Sequence, residues 1–408
     1  MGRAQAKALG FAELPLAIVP HPFGSRSRED VRSLARVCVT DVERLVTERG
    51  SSARDESAAA TATRAGVIEA PTVQEEFDAW CRERNWSDGL PLVPPTRERV
   101  ARYLAAAGRA PESLVGRIPP AFGAASVERI AINAAMAGCN PRAMPVLIAA
   151  VEAMCDPAFN LQGVQTTTNP AAPWVIVNGP IAAELDMNAG INCLGPGNWA
   201  NAGIGRALRL VLLNLGGAVP GVMDRATQGQ PGKYGFCCAE NEAENPWEPL
   251  HAERGCTIGD SAVTVVAVSG TLNMNSHSKD AEDILTAFAD TLAHPTSNDY
   301  WYAGAPFVIL APEHAQVLHR ARLNKAEVKR RLWEASKMSA ARLSAKDLTR
   351  PEHARLAELG VITRDTMLPI TASPDLLGII VAGGPGTHSV YVPGYGNSRP
   401  VTKLVRRV

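Results

Sequence analysis

The feature that constrains this chain most is a set of short apolar runs that stop abruptly at glycine and proline. Trp174-Val175-Ile176-Val177 runs into Asn178-Gly179-Pro180, and Leu376 to Ala382 runs into Gly383-Gly384-Pro385-Gly386. Ala262 to Val268 and Pro306 to Leu310 are of the same kind. Runs this short, bounded by turn residues, read as buried strands. Between and around them, apolar residues recur at helical spacing over Thr96–Ala107, Ser126–Ala137, Ala143–Cys155, Trp199–Leu215, Ser278–Leu292, Pro312–Arg322, Asn324–Trp333 and Arg350–Leu359. Strands alternating with helices predict an α/β fold with mixed or parallel sheets flanked by helices.

The expected layout is two packed subdomains preceded by a short strand–helix segment. That segment, 1–50, holds an apolar run at Leu14–Val19 and a helical repeat opened by Ser27 and Asp30 in capping-box spacing. One strand and one helix cannot fold alone, so the segment must pack on the rest of the chain or on another chain. Residues 51–72, rich in Ser, Ala and Thr, read as a linker. An α/β domain is expected over 73–260, with Gly-rich and Cys/Glu-rich loops, and a second α/β subdomain over 261–408.

Charge narrows the function. The 41 basic and 41 acidic side chains cancel. A neutral chain lacks the positive field that nucleic acids and anionic membranes select. No run of about 18 apolar residues occurs, so no membrane span is expected. The N-terminus has no secretory pattern. The eight cysteines show no CxxC spacing and read as reduced thiols of a cytoplasmic protein. A small-molecule substrate and a homo-oligomer are expected.

Several segments carry candidate chemistry. Gly195-Pro196-Gly197-Asn198 opens a helix that continues through Asn201, Gly203, Gly205 and Arg206. Glycines allow close backbone approach and helix N-terminal amides attract anions, so Gly195, Gly197, Asn198, Asn201 and Arg206 are candidate substrate contacts. The bland alternative is tight helix packing through Gly203 and Gly205. Cys193 precedes this loop, where a helix N-terminus favours the thiolate, and is a candidate nucleophile. A second segment, Phe236 to His251, packs Cys237, Cys238, Glu240, Asn241, Glu242, Glu244 and His251 together. Glu240, Asn241 and Glu242 follow an apolar stretch and so fall at a strand end, where α/β proteins bind ligands. Glu240 and Glu242 are the candidate acid and base, with Cys238 as a second thiol. Glu240, Glu242, Glu244 and His251 form an alternative divalent-metal set, although no accepted ligand spacing matches. No other cofactor is identified. Cys139, in Gly138-Cys139-Asn140-Pro141, is a third candidate thiol. Gln165 and Thr167 lie in a polar loop that either orients a substrate or caps itself. Lys233 is a candidate anion contact, and His388, after the last glycine loop, a candidate base.

Some of these segments resemble a known family. Leu14-Pro15-Leu16-Ala17-Ile18-Val19-Pro20-His21-Pro22, followed by the helix from Arg28 to Glu48, resembles the UGSC-type selenoprotein/thiol protein family. The region from Asp88 to Gly255 resembles the long C-terminal extension of some of its bacterial members, through Ala137–Pro141, Gly195–Asn198, Gly229–Lys233 and Cys238–Glu242. The family's Sec/Cys-Gly-Ser-Cys element is not present in this chain, so its redox residues are not carried over, and only His21 matches a motif position. A separate chain, or sequence upstream of a Sec codon read as a stop, is expected to supply that element. The resemblance implies reductive or lyase-type cleavage. The expected function is therefore an intracellular enzyme acting on a small polar or anionic metabolite by thiol and carboxylate chemistry. The alternatives are a metal-dependent hydrolase or lyase, and a scaffold subunit for a separate thiol/selenol protein.

Overall fold

The computed structural model describes residues 2–8, 10–20, 26–47 and 64–406. Twelve strands are present among them: β1 Leu114–Ile118, β2 Gly123–Ser126, β3 Ala172–Asn178, β4 Cys237–Ala239, β5 Ala262–Val268, β6 Leu272–Asn275, β7 Phe307–Leu310, β8 Met338–Ser339, β9 Met367–Leu368, β10 Gly378–Val381, β11 His388–Val392 and β12 Val401–Leu404. Two four-stranded mixed sheets dominate, one in the order β12-β5-β3-β4 and the other β10-β7-β11-β6. In the first, β4 runs parallel to β3 while β5 is antiparallel to both β3 and β12. In the second, β7 is parallel to β10, and β11 is antiparallel to β7 and β6. The expected α/β class is what the chain adopts.

Side chains alternate across a strand, and this alternation builds the layers. Val175 and Val177 of β3, with Val263 and Val265 of β5, face helices that include Val127–Met136, Met144–Met154 and Trp199–Asn214. Trp174, Ile176, Val266 and Val268 face the other way and meet Phe307, Ile309, Ile380 and Val392 of the second sheet. The ring of Trp174 stacks on Phe236 at 5.3 Å and meets Phe307 edge-on at 5.6 Å. Val308, Leu310, Ile379 and Val381 point outward again, into helices that include Ala281–Leu292, Pro312–Arg320 and Lys325–Ala335. The result is four layers: helices, sheet, sheet, helices. Both faces of the central strands are buried, which is why they read as unbroken apolar runs.

β5 passes into β6 through Ser269-Gly270-Thr271, and β11 leads on to β12, so both connections join the two sheets. Val268 bridges Gly394 at the crossing. The first sheet therefore draws strands from both sides of residue 260.

The N-terminal segment departs from expectation in one respect. Helix Arg28–Thr47 forms, with Asp30 N–H donating to Ser27 Oγ at 3.1 Å and Ser27 N–H to Asp30 Oδ2 at 3.2 Å. Leu14–Val19, however, joins no sheet. Pro15 and Pro20 interrupt the run, and proline has no N–H to give to a ladder. His21 and residues 51–63 of the expected linker lie outside the described residues. The linker's far end is tied down: Arg64 donates to Glu128 at 2.9 Å and to Glu112 at 3.0 Å. No single helix among the described residues is long and apolar enough to cross a membrane.

Candidate active site

The carboxyl ends of β4, β7 and β10 meet at one edge of the sandwich. Asn241, just past β4, donates its N–H to the Val381 carbonyl at the end of β10 at 2.8 Å. A cleft of about 630 Å³ opens there, walled by Asn241, Glu244, His277, Lys279, His314 and Arg320 and floored by Gly190-Ile191 and Gly383-Gly384. Ligands of open α/β sheets bind at this end of the strands. Lys279 and Arg320 form no ion pair among the described residues and bring two cations to the rim.

His314 is held in one tautomer. Its Nε2 lies 2.9 Å from the Ser276 carbonyl, which only accepts, so Nε2 carries the proton. Its Nδ1 then accepts from Ser389 Oγ at 2.7 Å, while Ser389 Oγ accepts the Ala311 N–H at 3.0 Å. Burial pushes the imidazole below its usual range, so it stays neutral. This network pins the start of helix Pro312–Arg320 to β11 and β6. His388, the expected base, is exposed beside Asn273.

Under the cleft floor lie two thiols. Cys193 comes from the loop before helix Trp199–Asn214, and Cys238 from the inward face of β4. The Cys238 thiol donates a hydrogen bond to Cys193, and the amides of Gly383 and Leu194 also act on it. Together they hold Cys193 below the usual thiol range, against its burial. Cys238 keeps its proton and is pushed well up, by that contact and by complete burial. Cys193 is only 6% exposed. Next to Gly383, a Cβ at Gly384 would come 2.2 Å from Ile191, so only glycine lets the two floor strips approach.

The third candidate thiol belongs to the core. Burial raises Cys139 to about 12, and it packs under Gly203. Cys237 faces the helices on the opposite side of β4 from Cys238 and is also raised by burial.

The two candidate acid/base carboxylates sit behind the cleft. Glu240 is fully buried and accepts from Asn178 Nδ2 at 2.7 Å, Leu250 N–H at 2.8 Å and Asn245 Nδ2 at 2.9 Å. Burial raises its carboxyl above the ordinary range, with Lys325 pulling the other way. Glu242 accepts from Asn178 Nδ2 at 2.8 Å and Gly179 N–H at 2.7 Å. The buried His251 has Nδ1 3.8 Å from Glu242 and Nε2 3.3 Å from the Ile258 carbonyl. These groups buttress the turn that carries Asn241. The four alternative metal ligands are split, because Glu244 lines the cleft and the other three do not. Among the described residues no three His, Cys, Asp or Glu side chains are grouped to hold a metal ion.

The remaining expected contacts are committed to the fold. Asn198 caps helix Trp199–Asn214 by accepting the Asn201 N–H at 2.8 Å. Asn201 donates to the carbonyls of Asn188 at 2.8 Å and Cys193 at 3.0 Å, so it fixes the loop that presents Cys193. Gly195 abuts Asn192, and Gly197 takes φ +113°. Arg206 grips Asp88 with two hydrogen bonds of 2.8 and 3.0 Å. Lys233 pairs with Asp224 at 2.6 Å. Gln165 donates to the Pro119 carbonyl, and Thr167 caps its own loop at Asn169 N–H, 3.1 Å. Gly203 and Gly205 serve close packing, against Cys139 and Gly235.

Sequence reasoning missed His277, Lys279, His314 and Arg320. The available signal was Pro312 opening a helix directly after the strand Pro306–Leu310, which marks a strand's carboxyl end. Comparison with known protein families, with characterised proteins and with solved structures finds no match to this chain.

Proposed function

We propose that this chain is a cytoplasmic enzyme that binds a small polar or anionic metabolite in the cleft and acts on it by thiol chemistry at Cys193. The observation that carries the reading is the position of Cys193 against the Gly383 floor of a cleft at the strand carboxyl ends, with its thiol held below the usual range through Cys238. Perturbed titratable groups beside such clefts mark reactive sites. Lys279 and Arg320 supply charge for an anion alongside the carboxylates of Glu244 and Glu313, and Asn241 supplies a fixed polar contact. Glu240 and Glu242 act as positioning residues, since they hold the Asn241 turn and do not reach the cleft. Reductive or lyase-type cleavage suits such a thiol, and it is what the resemblance to UGSC-type proteins implies.

The test is a thermal-shift and calorimetric screen of small carboxylates and phosphates on the wild type, the Lys279→Ala/Arg320→Ala variant and Cys193→Ser. The expected result is an anion that binds the wild type, binds the double variant at least about tenfold more weakly, and binds Cys193→Ser without turnover. Equal binding by the double variant would overturn the placement of the substrate.

A second reading, a subunit that docks a separate thiol/selenol protein, is favoured by helix Arg28–Thr47. It buries none of its residues and exposes Val37, Val39, Val42 and Val46. Copurification of such a partner with the wild type, lost in Val39→Asp/Val42→Asp, would support it.

A further inference from the structure

We infer that the ligand of the cleft is a short peptide of about three residues, its terminal ammonium on Glu313 and its terminal carboxylate on Arg320. This rests on the cleft being the substrate site, and it narrows the ligand from any small polar or anionic compound. Helix Pro312–Arg320 has two stripes. His314, Ala315 and Leu318 are buried on one side, where Ala315 and Leu318 join the core outside the second sheet. Glu313, Gln316, Val317 and Arg320 recur at i, i+3, i+4 and i+7, so they share the other side, and all four line the cleft. That face runs from a carboxylate at one end to a guanidinium at the other. An acid in the first turn and a base in the last suit the helix dipole. The dipole does not require the two to share a face, or that face to look into a cleft.

The cleft wall also carries Glu244 and Lys279, so two carboxylates and two cations line it. None of these four side chains forms an ion pair among the described residues. Such a lining rewards a ligand that carries both signs over one that carries a single sign. Glu313 and Arg320 are seven positions apart, which is about 10 Å along the helix axis. Both side chains lean the same way along the helix, so the offset carries over to their charged ends. An extended peptide advances about 3.3–3.6 Å per residue, so about three residues span that distance. A single amino acid, with its two charges joined through one carbon, meets one end only. Between the ends, Gln316 Nε2 donates to the Glu244 carbonyl at 3.5 Å, which leaves Oε1 to accept a ligand N–H. Val317 and the exposed Ile191 offer apolar contact to a ligand side chain. The cleft, at about 630 Å³, has the size of sites for ligands larger than a simple anion.

The test is calorimetric titration of the full-length protein with tri-alanine, N-acetyl-tri-alanine, tri-alanine amide and free alanine. The wild type is expected to bind tri-alanine, and to bind the other three at least about tenfold more weakly. Glu313→Gln should abolish discrimination against the acetylated form and keep it against the amide. Arg320→Gln should do the reverse. Both residues are exposed, and a thermal unfolding scan of each variant confirms that it folds. A capped form or free alanine that binds as well as tri-alanine overturns the inference. So does a Glu313→Gln variant that weakens the free and the acetylated peptide equally. Acetate and inorganic phosphate, titrated alongside, separate this result from the fate of the cleft reading. If either anion binds in dependence on Lys279 and Arg320 while tri-alanine does not bind, the peptide is wrong and the cleft stands. If neither the anions nor the peptide bind, both fall.

Discussion

Asp299 gives the chain a pH dependence whose sign and size follow from its surroundings. The side chain is fully buried, and its Oδ2 accepts from Ser297 Oγ at 2.9 Å, Tyr391 O–H at 3.0 Å and Gly394 N–H at 3.0 Å. Its Oδ1 has no hydrogen-bond partner among the described residues. Burial outweighs the three donors and pushes the carboxyl up to about 6. A carboxyl raised on folding binds its proton more tightly in the native state. The associated stability is thus complete below the unfolded value of about 3.9 and is lost as pH rises through about 6. The rise from about 3.9 to about 6 corresponds to about 3 kcal/mol in full, of which about 2 kcal/mol falls between about pH 4 and pH 7. Asp299→Asn is neutral throughout. Its carbonyl replaces Oδ2 for the same donors, while its NH₂ faces the partnerless side, at a pH-independent cost of about 1–3 kcal/mol. The variant should be clearly less stable than the wild type near pH 4 and close to it near pH 7. Urea unfolding of both proteins, followed by tryptophan fluorescence across this range, reads the difference directly. A wild-type-minus-variant difference that is flat with pH, or that grows as pH rises, refutes the reasoning.

Further outcomes follow from other contacts. Wild-type Cys193 should be alkylated by iodoacetamide at a lower pH than a free cysteine, and Cys238→Ala should move the midpoint up, since it removes the first hydrogen bond to Cys193. An unchanged midpoint by peptide mass spectrometry would sink that assignment. Gly205→Val should cost about 1–3 kcal/mol in urea unfolding, because even a Cβ there comes 2.9 Å from the Gly235 and Phe236 backbone. Trp174→Ala should cost about 3–5 kcal/mol, because it empties the layer between the two sheets. A midpoint within experimental error of the wild type would contradict either prediction.

The fold class was legible because burial on both faces wrote β3, β5, β7 and β10 as plain apolar runs. The strands that escaped notice are those with mixed exposure or borrowed polar groups. β12 is an edge strand, Val401-Thr402-Lys403-Leu404, whose Leu404 is exposed. β11 opens with His388 and Ser389, and Ser389 is spent on the His314 network. The pairing of two sheets was not legible either, because it depends on β5 and β11 each leading from one sheet to the other. Composition cannot record such a connection. The false strand at Leu14–Val19 had the right apolar content but the wrong backbone, with prolines at 15 and 20.

At the site, several side chains that line the cleft differ from those the sequence suggested, and the turn that follows β4 is one reason. Glu240 and Glu242 lie on one side of the chain after β4, while Asn241 and Glu244 reach the cleft. No local property distinguishes those pairs; the turn does, folding Glu240 and Glu242 back onto Asn178. Arg206 and Lys233 looked like anion contacts because Asp88 and Asp224, which neutralise them, lie elsewhere in the sequence. Lys279 and Arg320 belong to no motif, because what leaves them over a cleft is the meeting of β4, β7 and β10. Strand parity does govern the thiols, which lie within β4. Cys237 and Cys238 are neighbours, yet only the one facing the layer between the sheets can meet Cys193. Cys237→Ser is therefore expected to leave Cys193 alkylation unchanged while Cys238→Ser slows it. A reversal of that pair of results would mean that β4 is one residue out of register and that the site as a whole faces the other way.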